Sequence, residues 1–174
     1  MIHLLTEADA PEYHRLRLQA LQTDPQAFLS TWENESTKHD SDFAWELESY
    51  YHPPLFGYYG IFDQTEKQEK LIAFVQLGSS YLVKQKHVAF IYNLYIDPNH
   101  RHQGVGQQLF DHIFQAIQQH DQQIERIFLS CNALNKPAIR FYQKIGFKRC
   151  GIKPRSVKWN GVYDDEIEMV MVLK

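Results

Sequence analysis

"DPNHRHQGVGQQLF", residues 97–110, carries two glycines where an amphipathic helical pattern is about to begin. Gly104 and Gly106 stand one residue apart, and in a helix interior each costs about 1 kcal/mol relative to alanine. A strand, a sharp turn and a glycine-rich helix start are together the parts of an anion cradle. The first N–H groups of a helix have no intrahelical partner, and the helix dipole adds partial positive charge there. Without side chains at 104 and 106 a pyrophosphate can approach the backbone closely, and Arg101 would add a full charge beside it. The spacing RHQGVG fits neither the dinucleotide fingerprint GxGxxG nor the P-loop GxxxxGK[ST].

The flanking segments support a helix at this point. Before the turn, "HVAFIYNLYI" (87–96) is almost wholly apolar and rich in β-branched and aromatic residues, which predicts a strand buried on both faces. After it, Val105, Leu109, Ile113 and Ile117 recur at four-residue steps as a core-facing stripe. "RIFLSC" reads as a second buried strand, and "NKPAIRFYQKIGF" as a short helix closed by Gly146. Asn160-Gly161 is a hairpin signal ahead of an alternating strand. Nearer the start, "IHLL" (2–5) reads as a short strand, and Leu16, Leu18 and Leu21 lie in a helix broken at Asp24-Pro25. "STWENESTKHDSDFAWELESYY" reads as one or two helices, with Ser30 and Glu33 spaced as a capping box. "GYYGIF" and "LIAFVQLGSSYLV" read as strands joined by the charged turn "DQTEKQEK". The expected class is α+β: one domain over 1–174, with helices on the faces of a mixed sheet.

Composition narrows the function. A net charge of −3 and a pI near 6.3 argue against an electrostatic nucleic-acid binder. No apolar run approaches the ~18 residues of a membrane span, and the N-terminus lacks a signal-peptide pattern. Cys131 and Cys150 have no disulfide or metal-type spacing, so a reduced cytoplasm is the expected setting. His100 and His102 share a turn without carboxylate or cysteine partners, a poor basis for a metal site. No metal is expected.

The loop does match Arg/Gln-x-x-Gly-x-Gly/Ala, and here the chain resembles the GNAT N-acetyltransferases of bacterial type. "LRLQALQTDPQAFLSTWENE" is similar to their first two helices, and "IYNLYIDPNHRHQGVGQQLF" to their central strand, turn and CoA-binding helix. "NALNKPAIRFYQKIGFKRCG" resembles the later Asn-x-x-Ala-x-x-x-Tyr segment, and "GVYDDEIEMVMVL" the last strand. The resemblance implies a mostly antiparallel sheet of six to seven strands, acetyl-CoA as cosubstrate, and direct acetyl transfer to a primary amine on a small molecule or peptide. It also admits a homodimer.

Residue by residue, the resemblance assigns the pantetheine arm to the backbone of Leu94, Tyr95 and Ile96, where an N–H can also polarise the thioester carbonyl. It assigns the pyrophosphate to the amides of His102, Gln103, Gly104, Val105, Gly106 and Gln107, and places Asn135 near the arm. Tyr142 matches the tyrosine that protonates the departing thiolate. Taken alone, Tyr142 reads as a packing aromatic and Asn135 as a helix N-cap. The base is the weak link, because the glutamate that many members carry near Tyr92 or Asn93 is missing. Glu33, Glu35, or Tyr92 through water are the remaining candidates. Glu33 and Glu35, with Asp164, Asp165 and Glu166, would also favour a cationic acceptor. The rival from another class is a non-catalytic acyl-CoA-binding or sensing module.

Overall fold

The computed structural model describes residues 1–64 and 69–173; residues 65–68 of the expected charged turn lie outside the described residues. In chain order the elements are β1 (Ile2–Leu4), α1 (Ala10–Thr23), α2 (Trp32–Glu35), α3 (Asp40–Tyr50), β2 (Gly57–Asp63), β3 (Lys70–Ser79) and β4 (Val88–Ile96). There follow α4 (Val105–His120), β5 (Arg126–Asn132), α5 (Lys136–Lys144), β6 (Lys148–Trp159) and β7 (Val162–Val172). The strands form one seven-stranded sheet in the order β1-β2-β3-β4-β5-β7-β6. Every neighbouring pair is antiparallel except β4 and β5, which are joined by the α4 crossover that parallel strands require. Among the described residues, no helix is long and apolar enough to cross a membrane.

Strand alternation divides the apolar residues between two faces. On one face α4 packs Leu109, Phe110 and Ile113 over Val75, Ile127 and Met169. On the other, α1 and α3 pack Tyr13, Leu16, Phe43 and Leu47 over Tyr58, Phe74 and Tyr95. The stripe Val105, Leu109, Ile113 and Ile117 is buried throughout. Asn160 and Gly161 take φ of 47° and 81° in the β6–β7 turn, the left-handed pair that a two-residue hairpin needs.

Two local expectations are corrected. The cap of α2 is Thr31, whose side chain accepts from the Asn34 amide, because Ser30 is displaced one residue upstream of the helical geometry. And β4 is not buried on both faces. Tyr92 is 48% exposed, because the sheet opens beside it and leaves it facing a cavity.

Candidate active site

The opening contains a bulge. Phe74 pairs with Tyr95 and Gln76 with Tyr92, so Asn93 and Leu94 together face the single residue Val75. Asn93 has φ of 52°, a left-handed value that asparagine tolerates better than other side chains. The extra residue reverses which side chains point to which face. Ala89 and Ile91 belong to the α4-side core before the bulge, whereas Tyr95 enters the α1-side core after it. β4 leaves its parallel neighbour after Phe90, before the bulge. The two strands pair only through Val88, Ala89 and Phe90 with Arg126, Ile127 and Phe128. Leu94, Tyr95 and Ile96 therefore have no partner strand on the β5 side, and their backbone offers a free edge to an extended ligand.

The turn after β4 is rigidly built. Asp97, 2% exposed, accepts from the Asn99 amide at 2.9 Å and from Gln19 at 3.3 Å. Burial works to raise its pKa, but these bonds outweigh it and hold the carboxyl below its ordinary range. Arg101 donates to the Ile96 carbonyl at 3.0 Å and to Asp24 at 2.7 Å, and lies over the Tyr95 ring. Its guanidinium is thus a brace between this turn and the end of α1, rather than a free charge beside the loop.

The two glycines do different work. Gly104 has φ of 81° as the N-cap of α4, and a Cβ there would meet nothing within 4 Å. Gly106 is buried, and a Cβ there would sit 2.8 Å from Phe141 Cζ and 3.1 Å from Ile96 Cδ1. Its missing side chain admits α5 and β4, so close packing is by itself a reason for this glycine. The amides of His102, Gln103, Gly104, Val105, Gly106 and Gln107 have no acceptor among the described residues. The first bond of α4 is Gln108 N to Gly104 O, at 3.0 Å. Unpaired amides, open space at Gly104 and a helix start give this segment the chemistry to hold an anion.

A cavity of about 920 Å³ lies beside the parted strands. It is lined by residues 26–30 and Tyr50, by Phe90, Tyr92, Asn93 and residues 128–132, and by Lys153, Glu166 and Glu168 of the last hairpin. Tyr92 stacks on Phe90 with 6.0 Å between centroids, and burial raises its phenol pKa. Glu168 pairs with Lys153 at 3.2 Å, and Lys153 also donates to Ser130. Glu166 accepts from Ser156 at 3.1 Å and is in no ion pair among the described residues.

The other candidate residues divide. Glu33 is exposed and outside the cavity wall, while Glu35 is 4% exposed and bound by Arg17 Nε and Nη2 at 2.9 and 3.0 Å. Residues two apart on a helix point about 200° apart, so α2 turns only one of them inward. Glu35 is thereby committed to Arg17, and Glu33 is directed away. Asp164 accepts from Asn132, and Asp165 from the Arg155 amide. Asn135 caps α5, its side chain accepting from the Ala138 amide at 3.2 Å. Tyr142 is 7% exposed among Phe110, Phe141 and Phe147, and burial pushes its pKa well above the ordinary phenol range. It is packed in the core rather than in the cavity wall, which includes its neighbour Cys131. Burial and the charge of Glu166 push the Cys131 thiol up to about 11, so it is a poor nucleophile. Sequence reasoning missed Lys153 and Glu168. The alternation Glu166-Ile167-Glu168-Met169, with Ile167 and Met169 in the core, was the available signal.

A sheet parted at its centre, next to a left-handed helix cap with free amides, leaves a cleft open to an extended ligand. Residues 10–147 match the model of the acetyltransferase (GNAT) family, and the chain belongs to that family. It is 25% identical over 83 residues to the [ribosomal protein bS18]-alanine N-acetyltransferase of Escherichia coli K12, covering 48% of this chain and 55% of that protein. The chain thus spans about half the length of the curated relative it matches. A GNAT-family acetyltransferase from Streptococcus pneumoniae has the same fold, at TM-score 0.83 and 17% identity over 100% of this chain and 99% of that one. So does a Salmonella typhimurium protein described as a candidate acetyltransferase and solved with its cofactor acetyl-CoA. It matches at TM-score 0.76 and 15% identity, over 100% and 94% of the two chains.

Proposed function

We propose that this protein transfers acetyl from acetyl-CoA directly to a primary amine. The observation that carries the reading is the parting of β4 from β5 beside the free amides that open α4. The pyrophosphate sits on the amides of 102–107, in the space a Cβ at Gly104 would share, and the pantetheine arm pairs with residues 94–96. The amine nitrogen attacks the thioester carbonyl, whose oxygen is met by a β4 N–H. The C–S bond breaks, and Tyr142, held as a neutral phenol by burial, gives its proton to the thiolate. The proton of the attacking nitrogen leaves through water towards Glu166, which lines the cavity together with Tyr92. Direct transfer is supported by the raised pKa of Cys131, which disfavours an acyl-enzyme on that thiol.

The test is thiol release from acetyl-CoA across an amine panel that includes a peptide with an N-terminal alanine, since the curated relative is named for alanine acetylation. Expected is amine-dependent release of free CoA. Binding of acetyl-CoA by calorimetry without turnover for any amine would support a non-catalytic acyl-CoA module instead.

Of the carboxylates in the cavity wall, Glu168 is neutralised by Lys153 and Glu166 is not. The acceptor is therefore a cationic amine in our proposal. Basic amines should react faster than glutamate or aspartate, and Glu166→Gln should erase the preference. The advantage should also shrink with added salt, since exposed charges are screened beyond about 10 Å at 0.1 M. Preferential acetylation of acidic amino acids, independent of salt, would reject the assignment.

A further inference from the structure

Arg17 and Glu35 are among the few buried charged residues described, 3% and 4% exposed, and neither lies in the cavity wall. Their pair is bidentate, and Arg17 reaches further. Arg17 Nη1 donates to Asn93 Oδ1 at 3.4 Å. The Asn93 side-chain amide in turn donates to Gln76 at 3.0 Å and to the Tyr58 hydroxyl at 3.1 Å. Every polar atom of the Asn93 side chain thus has a partner, on the one non-glycine residue of β4 with a left-handed backbone. In the other direction the Arg17 guanidinium lies 4.8 Å from the centroid of Phe28. Phe28 and Asn93 both line the cavity.

From this we infer that the Arg17–Glu35 pair is a latch on the lining of the cleft, fixing the Asn93 bulge and the Phe28 ring. The inference rests on the acetyl-transfer reading, because it assigns the pair a consequence for that reaction. Arg17 and Glu35 touch neither reactant; they are positioning residues. The physical argument is one of what such a pair is good for. Replacing a buried ion pair by apolar groups of similar volume is often neutral or stabilising, so stability is a weak reason for having one. Directionality is a stronger one. An apolar pair can fill the space between α1 and α2, but it cannot donate to Asn93. Without that donor, Asn93 keeps only its bonds to Gln76 and Tyr58 and is freer to relax towards the extended backbone that most residues prefer, and the register beyond it changes with the bulge.

The experiment compares the wild type with the double variant Arg17→Met/Glu35→Leu, in which no charge is stranded. Thermal unfolding, hydrogen exchange of the amides at 92–96 in the ligand-free protein, acetyl-CoA affinity and kcat are read on each. The expected result is a melting temperature close to wild type, faster exchange at 92–96, and acetyl-CoA affinity lower by about tenfold or more. The same affinity and exchange as wild type in the folded double variant would overturn the latch. If the double variant does not fold, Arg17→Lys is read in the same way, since it keeps the charge but loses the planar fork. Its expected result is partial loss on the same readouts, and no change in exchange or affinity would overturn the inference. Hydrogen exchange in the free protein keeps the two proposals apart. Failure of the wild type to bind acetyl-CoA would sink the functional reading while the exchange comparison still judges the latch.

Discussion

Gly104 and Gly106 look alike in sequence and part company in the structure, which lets their substitutions be told apart. Alanine at Gly104 meets no protein atom but must adopt φ of 81°, a strain of about 1–2 kcal/mol. Gly104→Ala should therefore fold and lose acetyl-CoA affinity, because the methyl group occupies space left for the ligand; unchanged calorimetric affinity would reject the loop assignment. Gly106→Ala drives a methyl against Phe141 and Ile96. Overpacking of this kind costs about 1–3 kcal/mol, so it should appear first as a lower melting temperature. For Tyr142, removal of the hydroxyl leaves its aromatic packing with Phe110 and Phe147 in place. Tyr142→Phe should keep the melting temperature and acetyl-CoA affinity while kcat falls by roughly 10²–10⁴-fold. A loss below about threefold would mean that water protonates the thiolate.

α5 depends on how its first turn is closed. Asn135 accepts the Ala138 amide, with Pro137 early in the helix where no N–H is needed. Asn135→Ala should cost about 1 kcal/mol of stability, measured by urea unfolding. Restoration by Asn135→Asp, with acetyl-CoA affinity unchanged in both, would assign the residue to capping alone. The helices and strands of this chain were legible because their signals are local. The four-residue stripe of α4, the Asn160-Gly161 turn and the break at Asp24-Pro25 each lie within a few residues. The cap of α2 was misplaced by one residue because Ser30 and Thr31 are both good caps; the Arg17–Glu35 pair sets which face of that four-residue helix turns inward. The bulge in β4 was illegible. Nothing in "IYNLYI" marks Asn93 as left-handed until Gln76, Tyr58 and Arg17 surround it.

Across the molecule, Glu12, Glu35 and Asp97 all hold folded pKa values below their ordinary range, since bonds to Arg15, Arg17 and the Asn99 amide respectively outweigh burial. Each therefore binds a proton more readily unfolded than folded. Their contribution is fully present above the unfolded values near 4 and is lost as pH falls through the lower folded values. The urea midpoint should be flat from neutral pH to about 5 and drop below about 4. Glu35→Gln should lower it at neutral pH and flatten the acid limb; an acid limb as steep as wild type would remove Glu35 from the account. Local pattern was enough to read the alternation of strands and helices and the glycine-rich start of α4, because periodicity and backbone preference act between near neighbours; the Asn-x-x-Ala-x-x-x-Tyr segment was read through the family resemblance. The bulge at Asn93, the burial of Glu35 against Arg17, the bracing of Arg101 by Asp24 and the arrival of Glu166 and Glu168 in the cavity were settled by tertiary structure alone. Each joins residues far apart in the chain, and which polar group faces its partner follows from strand register and helix rotation, which no single segment specifies.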